Sequence, residues 1–276
     1  MEGLYLYCIR ERLEPPFPFS AKGIDERQEV FTIACHELEA VVSKVSLKEF
    51  DSETIQIKAR EDLNWIKEKV VIHEKVIEEA MRRDDNILSL IPMRFGTIFK
   101  EKARLEESLN KDYSKIKEVL DRIRGKQEWG VKVYLADRER VERVVKEKNE
   151  AIKGKEREVA SLPEGMAYFM EEELREVISR EVDNELNNMA EAFFKGLKKK
   201  AVASVKNKIL GKELTGKREP MILNAAYLIS EEKIEGFKKK ASDLNQRMQD
   251  QGCYLEFSGP WPAYNFSHYS ATKAQK

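Results

Sequence analysis

Between Met166 and Ile209, apolar residues recur every three or four positions for more than forty residues. Met166, Met170, Leu174, Ile178, Val182 and Leu186 open the series, and Met189, Phe193, Leu197, Ala201 and Val205 carry it on. That period belongs to an amphipathic helix. At 1.5 Å per residue, an unbroken helix of this length would reach about 65 Å, far beyond a small domain. It must bend, with Gly196 as the place for it, or pair lengthwise with a neighbour as a coiled-coil-like hairpin. The expected neighbour is the helical stretch over about 138–160, for which Asp137 is placed as the N-cap. Ser161 to Glu164 (SLPE) reads as a capping box opening the long helix, with Pro163 tolerated in its first turn.

The same segment is divided in charge. Residues 164–191 carry nine acidic and two basic side chains, a net of −7. Residues 195–218 carry nine basic and one acidic, a net of +8. The helix macrodipole favours this polarity but acts only near the ends, so it does not explain blocks twenty residues long. A solvated face, docking on an antiparallel neighbour or a second copy of the chain, and contact with anionic lipid or nucleic acid would each satisfy it. Over the whole chain, 50 Lys+Arg balance 50 Asp+Glu, and charged residues make up 36% of the 276. An average soluble domain carries roughly 25%. The neutral total excludes a globally basic nucleic-acid binder, and 41% apolar residues are enough for a core without disulfides.

Little in the chain carries chemistry. No G-x-G-x-x-G, Walker A, G-x-S-x-G or H-E-x-x-H pattern occurs, which removes the common nucleotide-binding, serine-hydrolase and metalloprotease signatures, and no cofactor is expected. His36, His73 and His268 lie too far apart for ligand spacing and read as structural or exposed. Carboxylate pairs such as Glu172 and Glu176 follow from composition alone. Cys8, Cys35 and Cys253 include no CxxC pair, which points to a reducing cytoplasm and no metal. The first residues lack the basic stretch of a secretory signal, and the longest apolar run, 221–229, is about half a membrane span. No membrane and no nucleic-acid partner is expected.

Ahead of the long helix the patterns change. Residues 4–9 (LYLYCI), 31–34 and 38–42 read as strands, the last two separated by a tight turn at His36 and Glu37. A helix over 60–83, a bulged strand over 87–99 and a helix over 101–124 ended by Gly125 complete a β-β-β-α-β-α order. This predicts an α+β fold, with helices on one face of a mostly antiparallel sheet. Residues 129–136 and 221–230 read as strands, 231–250 as a helix and 253–257 as a last strand. The expected boundaries are 1–125, 126–258 and a Pro/aromatic tail, 259–276, whose two prolines argue against regular structure.

Within the 87–99 strand, Met93 to Phe99 (MRFGTIF) has a basic–aromatic–glycine order similar to an RNA-binding strand. That motif needs glycine directly after the basic residue, whereas here Phe95 intervenes and Pro92 stands upstream. A structural bulge is the better reading, and a ferredoxin-like RNA-binding protein is kept as the alternative function.

Six segments taken in order resemble the GvpL/GvpF family of gas vesicle proteins. They are Leu4 to Tyr7 (LYLY), Leu90 to Thr97 (LIPMRFGT), Glu128 to Tyr134 (EWGVKVY), Leu162 to Tyr168 (LPEGMAY), Met221 to Leu228 (MILNAAYL) and Gly259 to Phe266 (GPWPAYNF). Cys8 departs from the family, where a small residue is usual. The resemblance implies a ferredoxin-like N-terminal α+β domain and a C-terminal α+β domain with long paired helices. It implies a non-enzymatic accessory protein of gas vesicle assembly, located in the cytoplasm and at the vesicle. Its partners would be the hydrophobic major shell protein and other accessory proteins during nucleation and growth, while the charge division of the long helical segment leaves self-association open. A chain rich in charge suits the binding of a strongly apolar partner. The contact residues expected on this basis are Pro92, Arg94 and Phe95 in the strand region and Trp261, Tyr264 and Phe266 in the tail.

Overall fold

Strand β1 (Glu2–Glu11) is buried over eight consecutive residues, which alternate between its two faces. A strand buried at successive positions must be covered on both sides. The structure, a computed structural model describing residues 2–50 and 52–268, places β1 in the interior of a sheet. Its antiparallel neighbour is β3 (Leu38–Ser46), registered from Glu2 opposite Ser46 to Glu11 opposite Leu38, with a bulge between Leu6 and Cys8. β2 (Val30–Cys35) forms a hairpin with β3 through His36 and Glu37, with His36 at φ 56°. Then follow α1 (Leu47–Phe50), α2 (Ser52–Glu61) and α3 (Leu63–Met81), the last capped by Asp62, which accepts from the Trp65 N–H at 3.0 Å. Val76, Ile77 and Ala80 of α3 join Tyr5, Tyr7, Val41 and Val45 in one core cluster. Leu4, Leu6 and Ile9 are buried as well, so covering on one face only, as the patterns predict, is corrected by the burial of β1.

The expected strand over 87–99 is broken into pieces. β4 (Arg82–Arg83) and β5 (Asn86–Ile87) make a small hairpin, while β6 (Leu90–Pro92) and β7 (Ile98–Phe99) both pair with β1. Between β6 and β7 the chain turns through Gly96 at φ +80°, a conformation natural to glycine. The expected helix over 101–124 is two helices, α4 (Lys102–Lys111) and α5 (Tyr113–Ile123), which meet at the buried Asp112. Gly125 follows at φ +65°.

By compactness, the chain divides into two units. One takes in residues up to Glu128 and again from Pro260, and the other is Trp129–Gly259. The second unit begins within β8 (Lys126–Leu135) and continues with α6 (Arg138–Lys148), α7 (Glu150–Ala160) and α8 (Glu164–Lys198). β9 (Ala203–Lys206), α9 (Lys212–Thr215), β10 (Met221–Ser230), a 3-10 turn at Glu231–Lys233, α10 (Ile234–Gln249) and β11 (Cys253–Trp261) complete it. Its sheet has the order β11-β8-β10-β9. Leu174, Ile178, Val182, Leu186 and Phe193 of α8 pack with Val141, Val145 and Ile152 of α6 and α7 and with Leu223, Tyr227 and Ile229 of β10.

Four expectations change here. The helix expected over 138–160 breaks at Asn149, whose side chain accepts from the Ala151 and Ile152 N–H groups at 3.0 and 3.3 Å and so caps α7. α8 runs through Gly196 without ending and stops at Lys198. The apolar period beyond it belongs to β9, where Ala203 lies opposite Leu228 and Val205 opposite Ala226. The capping box does not form. The Ser161 hydroxyl donates to the Glu158 carbonyl at 2.7 Å and so closes α7, while α8 starts behind Pro163 without a side-chain cap. β11 extends through Pro260 to Trp261, so the first tail proline lies in regular structure. β11 is an edge strand, where a missing N–H leaves no ladder bond unmade. Asp137 caps α6 as expected, accepting from the Arg140 N–H at 2.9 Å.

The acidic half of α8 meets basic residues of its neighbours. Arg138 of α6 bonds Asp183 at 2.9 Å, Lys148 lies 3.9 Å from Glu185, and Lys155 of α7 lies 3.7 Å from Glu173. These pairs are largely exposed and each contributes under about 1 kcal/mol. Packing of the apolar stripe holds the layer. At the turn into β11, Gly252 adopts φ +85°, and its carbonyl accepts from the Ala136 and Asp137 N–H groups at 2.9 Å each. A Cβ there would stand 2.5 Å from the Asp137 carbonyl oxygen. Gly252→Ala is therefore expected to cost about 2–4 kcal/mol, read as a lowered urea midpoint. An unchanged midpoint would contradict this geometry.

Candidate functional site

The Met93–Thr97 turn is held by a chain of polar groups inside the first unit. His73 of α3 faces the Met93 carbonyl through Nε2 at 3.2 Å and the Tyr5 hydroxyl through Nδ1 at 3.0 Å. A carbonyl only accepts, so Nε2 carries the proton and Nδ1 accepts from Tyr5. The Tyr5 oxygen in turn accepts from the Gly96 N–H at 2.9 Å. Burial pushes the His73 pKa down to about 4, so the ring is neutral at neutral pH, as this arrangement requires. Phe95 packs edge-on against Tyr5 and His73, with ring centroids at 6.2 and 5.8 Å. Tyr7 completes the cluster, its hydroxyl accepting from the Ile24 N–H at 2.7 Å and bonded to Ser43 at 2.9 Å.

The tail is tied to the same helix one residue further on. The Tyr264 hydroxyl donates to Glu74 Oε1 at 2.7 Å. Burial raises the pKa of Glu74, and burial together with the Glu74 carboxylate raises that of Tyr264. Asn265 donates twice to Glu128, from its backbone N–H at 3.0 Å and from its side-chain amide at 2.6 Å. Glu128 is buried, and burial pushes its pKa up to about 7 against the lowering effect of these two bonds. Arg122 donates to the Phe266 carbonyl at 3.0 Å.

The six residues singled out in the sequence thus occupy two segments anchored at consecutive positions of α3. Pro92 is buried opposite Cys8 of β1, Arg94 is exposed, and Phe95 is half-buried in the aromatic cluster. In the tail Trp261 and Tyr264 are exposed at 42% and 37%, while Phe266 is half-buried. With its ring edge-packed on Tyr5 and His73, Phe95 is not free to stack on a base, so the geometry lends no support to the RNA-binding reading. Local patterns give the anchors Tyr5, His73, Glu74 and Glu128 no contact role, His73 reading only as structural or exposed. Their partners lie 20 to 190 residues away in the chain, beyond any local spacing rule.

Among the described residues, no cluster of three His, Cys, Asp or Glu side chains has metal-holding geometry, and no helix is long and apolar enough to cross a membrane. The three cysteines are buried as thiols.

Comparison with known proteins gives one consistent result. The family model described as gas vesicle synthesis protein GvpL/GvpF matches residues 3–268. Gas vesicle protein L of a Streptomyces species is 24% identical over 266 residues, covering 95% of this chain and 92% of that protein. Gas vesicle protein F1 of Halobacterium salinarum is 22% identical over 265 residues, covering 96% and 92%. The crystal structure of GvpF from an Anabaena species superposes with a TM-score of 0.74 at 19% identity, covering 98% of this chain and all of that one. GvpF from Microcystis aeruginosa gives a TM-score of 0.65 at 21% identity, with 97% and 99% covered. These likenesses place the mixed helix-and-sheet fold among solved GvpF structures. With a family match that runs nearly from end to end, the chain belongs to the GvpL/GvpF family of gas vesicle synthesis proteins.

Proposed function

We propose that the protein is a non-enzymatic accessory factor of gas vesicle formation in the cytoplasm, which binds the hydrophobic shell protein and other accessory proteins during nucleation and growth. In this reading the first unit is a ferredoxin-like domain that presents the contact surface. The second, with α6 and α7 packed on α8 like a coiled-coil hairpin, is the structural arm. The observation that carries it is the convergence of the 93–97 turn and the 261–266 tail on His73 and Glu74 of α3. Two flexible-looking segments are thereby fixed before any partner arrives, which lowers the ordering cost of binding. Arg94, Trp261 and Tyr264 remain exposed on them, and Arg, Trp and Tyr dominate protein-binding hot spots.

The test is capture of the shell protein by purified variants of the full chain. Trp261→Ala combined with Arg94→Ala is expected to weaken capture by more than about tenfold, each anchor being worth about 1–2 kcal/mol. Vesicle formation should fall in parallel in cells that depend on this chain. Unchanged capture and unchanged vesicles with a folded Arg94→Ala/Trp261→Ala protein would sink the proposed surface.

A further inference from the structure

The surface described above lies on the first unit and leaves the exposed residues at the two ends of α8 without a role. At the start of α8, Met166, Tyr168 and Phe169 stand in solvent, Phe169 with 74% of its surface exposed. The Tyr168 and Phe169 rings meet edge to face at 5.8 Å. Glu171 and Glu176 beside them enter no ion pair among the described residues, while Glu172 and Glu173 are paired with Arg175 and Lys155. This tip is apolar and acidic.

Past the other end of the helix lies its complement. β9 is an edge strand of the second sheet, and Val202 and Ile209 stand exposed just before and after it in the chain. Lys199, Lys200 and Lys208 lie within three residues of them in the chain, exposed and without ion-pair partners among the described residues. This edge is apolar and basic. α8 is unbroken from Glu164 to Lys198, so Phe169 and Lys198 are held about 45 Å apart. The tip therefore cannot reach the lysines that follow α8 within one chain.

We propose that the α8 tip of one copy docks on the β9 edge of a second copy, head to tail. The occupant follows from the charges: every copy carries one acidic tip and one basic edge, each beside exposed apolar side chains. Apolar contact supplies the attraction, and the opposed charges set orientation and speed of encounter. The interface is heterologous, since the two surfaces differ, and its repetition gives rows or closed rings rather than an isolated two-fold dimer.

Sedimentation of the full-length protein tests this directly. Association should rise with concentration and weaken by about tenfold or more as salt is raised from about 50 to about 500 mM. Phe169→Lys removes the tip, and Lys200→Glu with Val202→Glu removes the edge. Both sites are exposed, and circular dichroism verifies that the variants remain folded. Each variant alone is expected to stay monomeric, whereas an equimolar mixture of the two is expected to form a capped one-to-one dimer, because each retains the half the other lacks. A wild-type protein that is monomeric throughout, a single variant that still associates, or a mixture that stays monomeric would each overturn the proposal.

Discussion

Replacing Glu39 with alanine is expected to destabilise the protein by about 3–5 kcal/mol, the largest single effect anticipated from its interior. Glu39 and Arg10 face each other directly in the β1–β3 register, and Arg10 Nε donates to Glu39 Oε1 at 2.8 Å. The side chains are 3% and 1% exposed. Arg10 also makes a close bond to the Ala80 carbonyl in the last turn of α3, and its guanidinium lies 5.5 Å from the rings of both Phe17 and Phe19. A cation suits that helix end, where unpaired carbonyls concentrate negative charge. Removing Glu39 leaves this cation desolvated and without its counter-charge, which costs far more than the pair contributes. The double variant Arg10→Met/Glu39→Leu should therefore recover most of the loss, since it removes both charges and keeps the volume. Chemical denaturation of the three proteins decides it. A Glu39→Ala loss below about 1 kcal/mol would mean that the pair is not sealed from water.

The second large effect is a pair of opposed pH dependences from the anchors of the candidate surface. His73 titrates near 6.5 when unfolded and near 4 when folded. Its contribution is complete above about pH 6.5 and is lost as pH falls through about 4, because the unfolded chain takes up the proton first. Glu128 moves the other way, from about 4.5 unfolded to about 7 folded. Its contribution is complete below about pH 4.5 and is lost as pH rises through about 7. Each spans up to about 3 kcal/mol. Between pH 4.5 and 6.5 the two slopes oppose each other. Subtracting the stability profile of Glu128→Gln from that of the wild type should leave a curve that falls with pH. The same subtraction for His73→Gln should leave one that rises. Difference curves of equal sign, or flat ones, would show that these groups are not held as described.

The legible parts of the fold were those written in local patterns. Met221–Ser230 is a strand at the predicted bounds because its apolar run is terminated by the turn residues on either side. α8 announced itself through an apolar stripe too long for chance, and the six family segments identified the chain's kin. What the residues did not disclose depends on choices between local alternatives or on distant partners. Ser161 had two carbonyl-and-amide environments within reach and took the one that closes α7. The period of α8 ran into β9 because Ala201 and Val205 suit either a helix or a strand, and only pairing with β10 decides. Asp112 interrupts a stretch whose apolar spacing alone reads as one helix. For the candidate surface, the aromatic and basic residues were visible as types. Their common footing on His73 and Glu74 was not, since it joins β1, α3, the 93–97 turn and the tail only after folding.

The most direct measurement is site-specific photo-crosslinking from the full-length protein to the shell protein in vesicle-forming cells. A crosslinker is introduced in turn at Arg94, at Trp261 and at Arg247, the last an exposed position on α10 of the second unit. Gripping of the shell protein by the turn and the tail predicts adducts from positions 94 and 261 and none from 247. Adducts from 247 alone, with 94 and 261 silent, would contradict it.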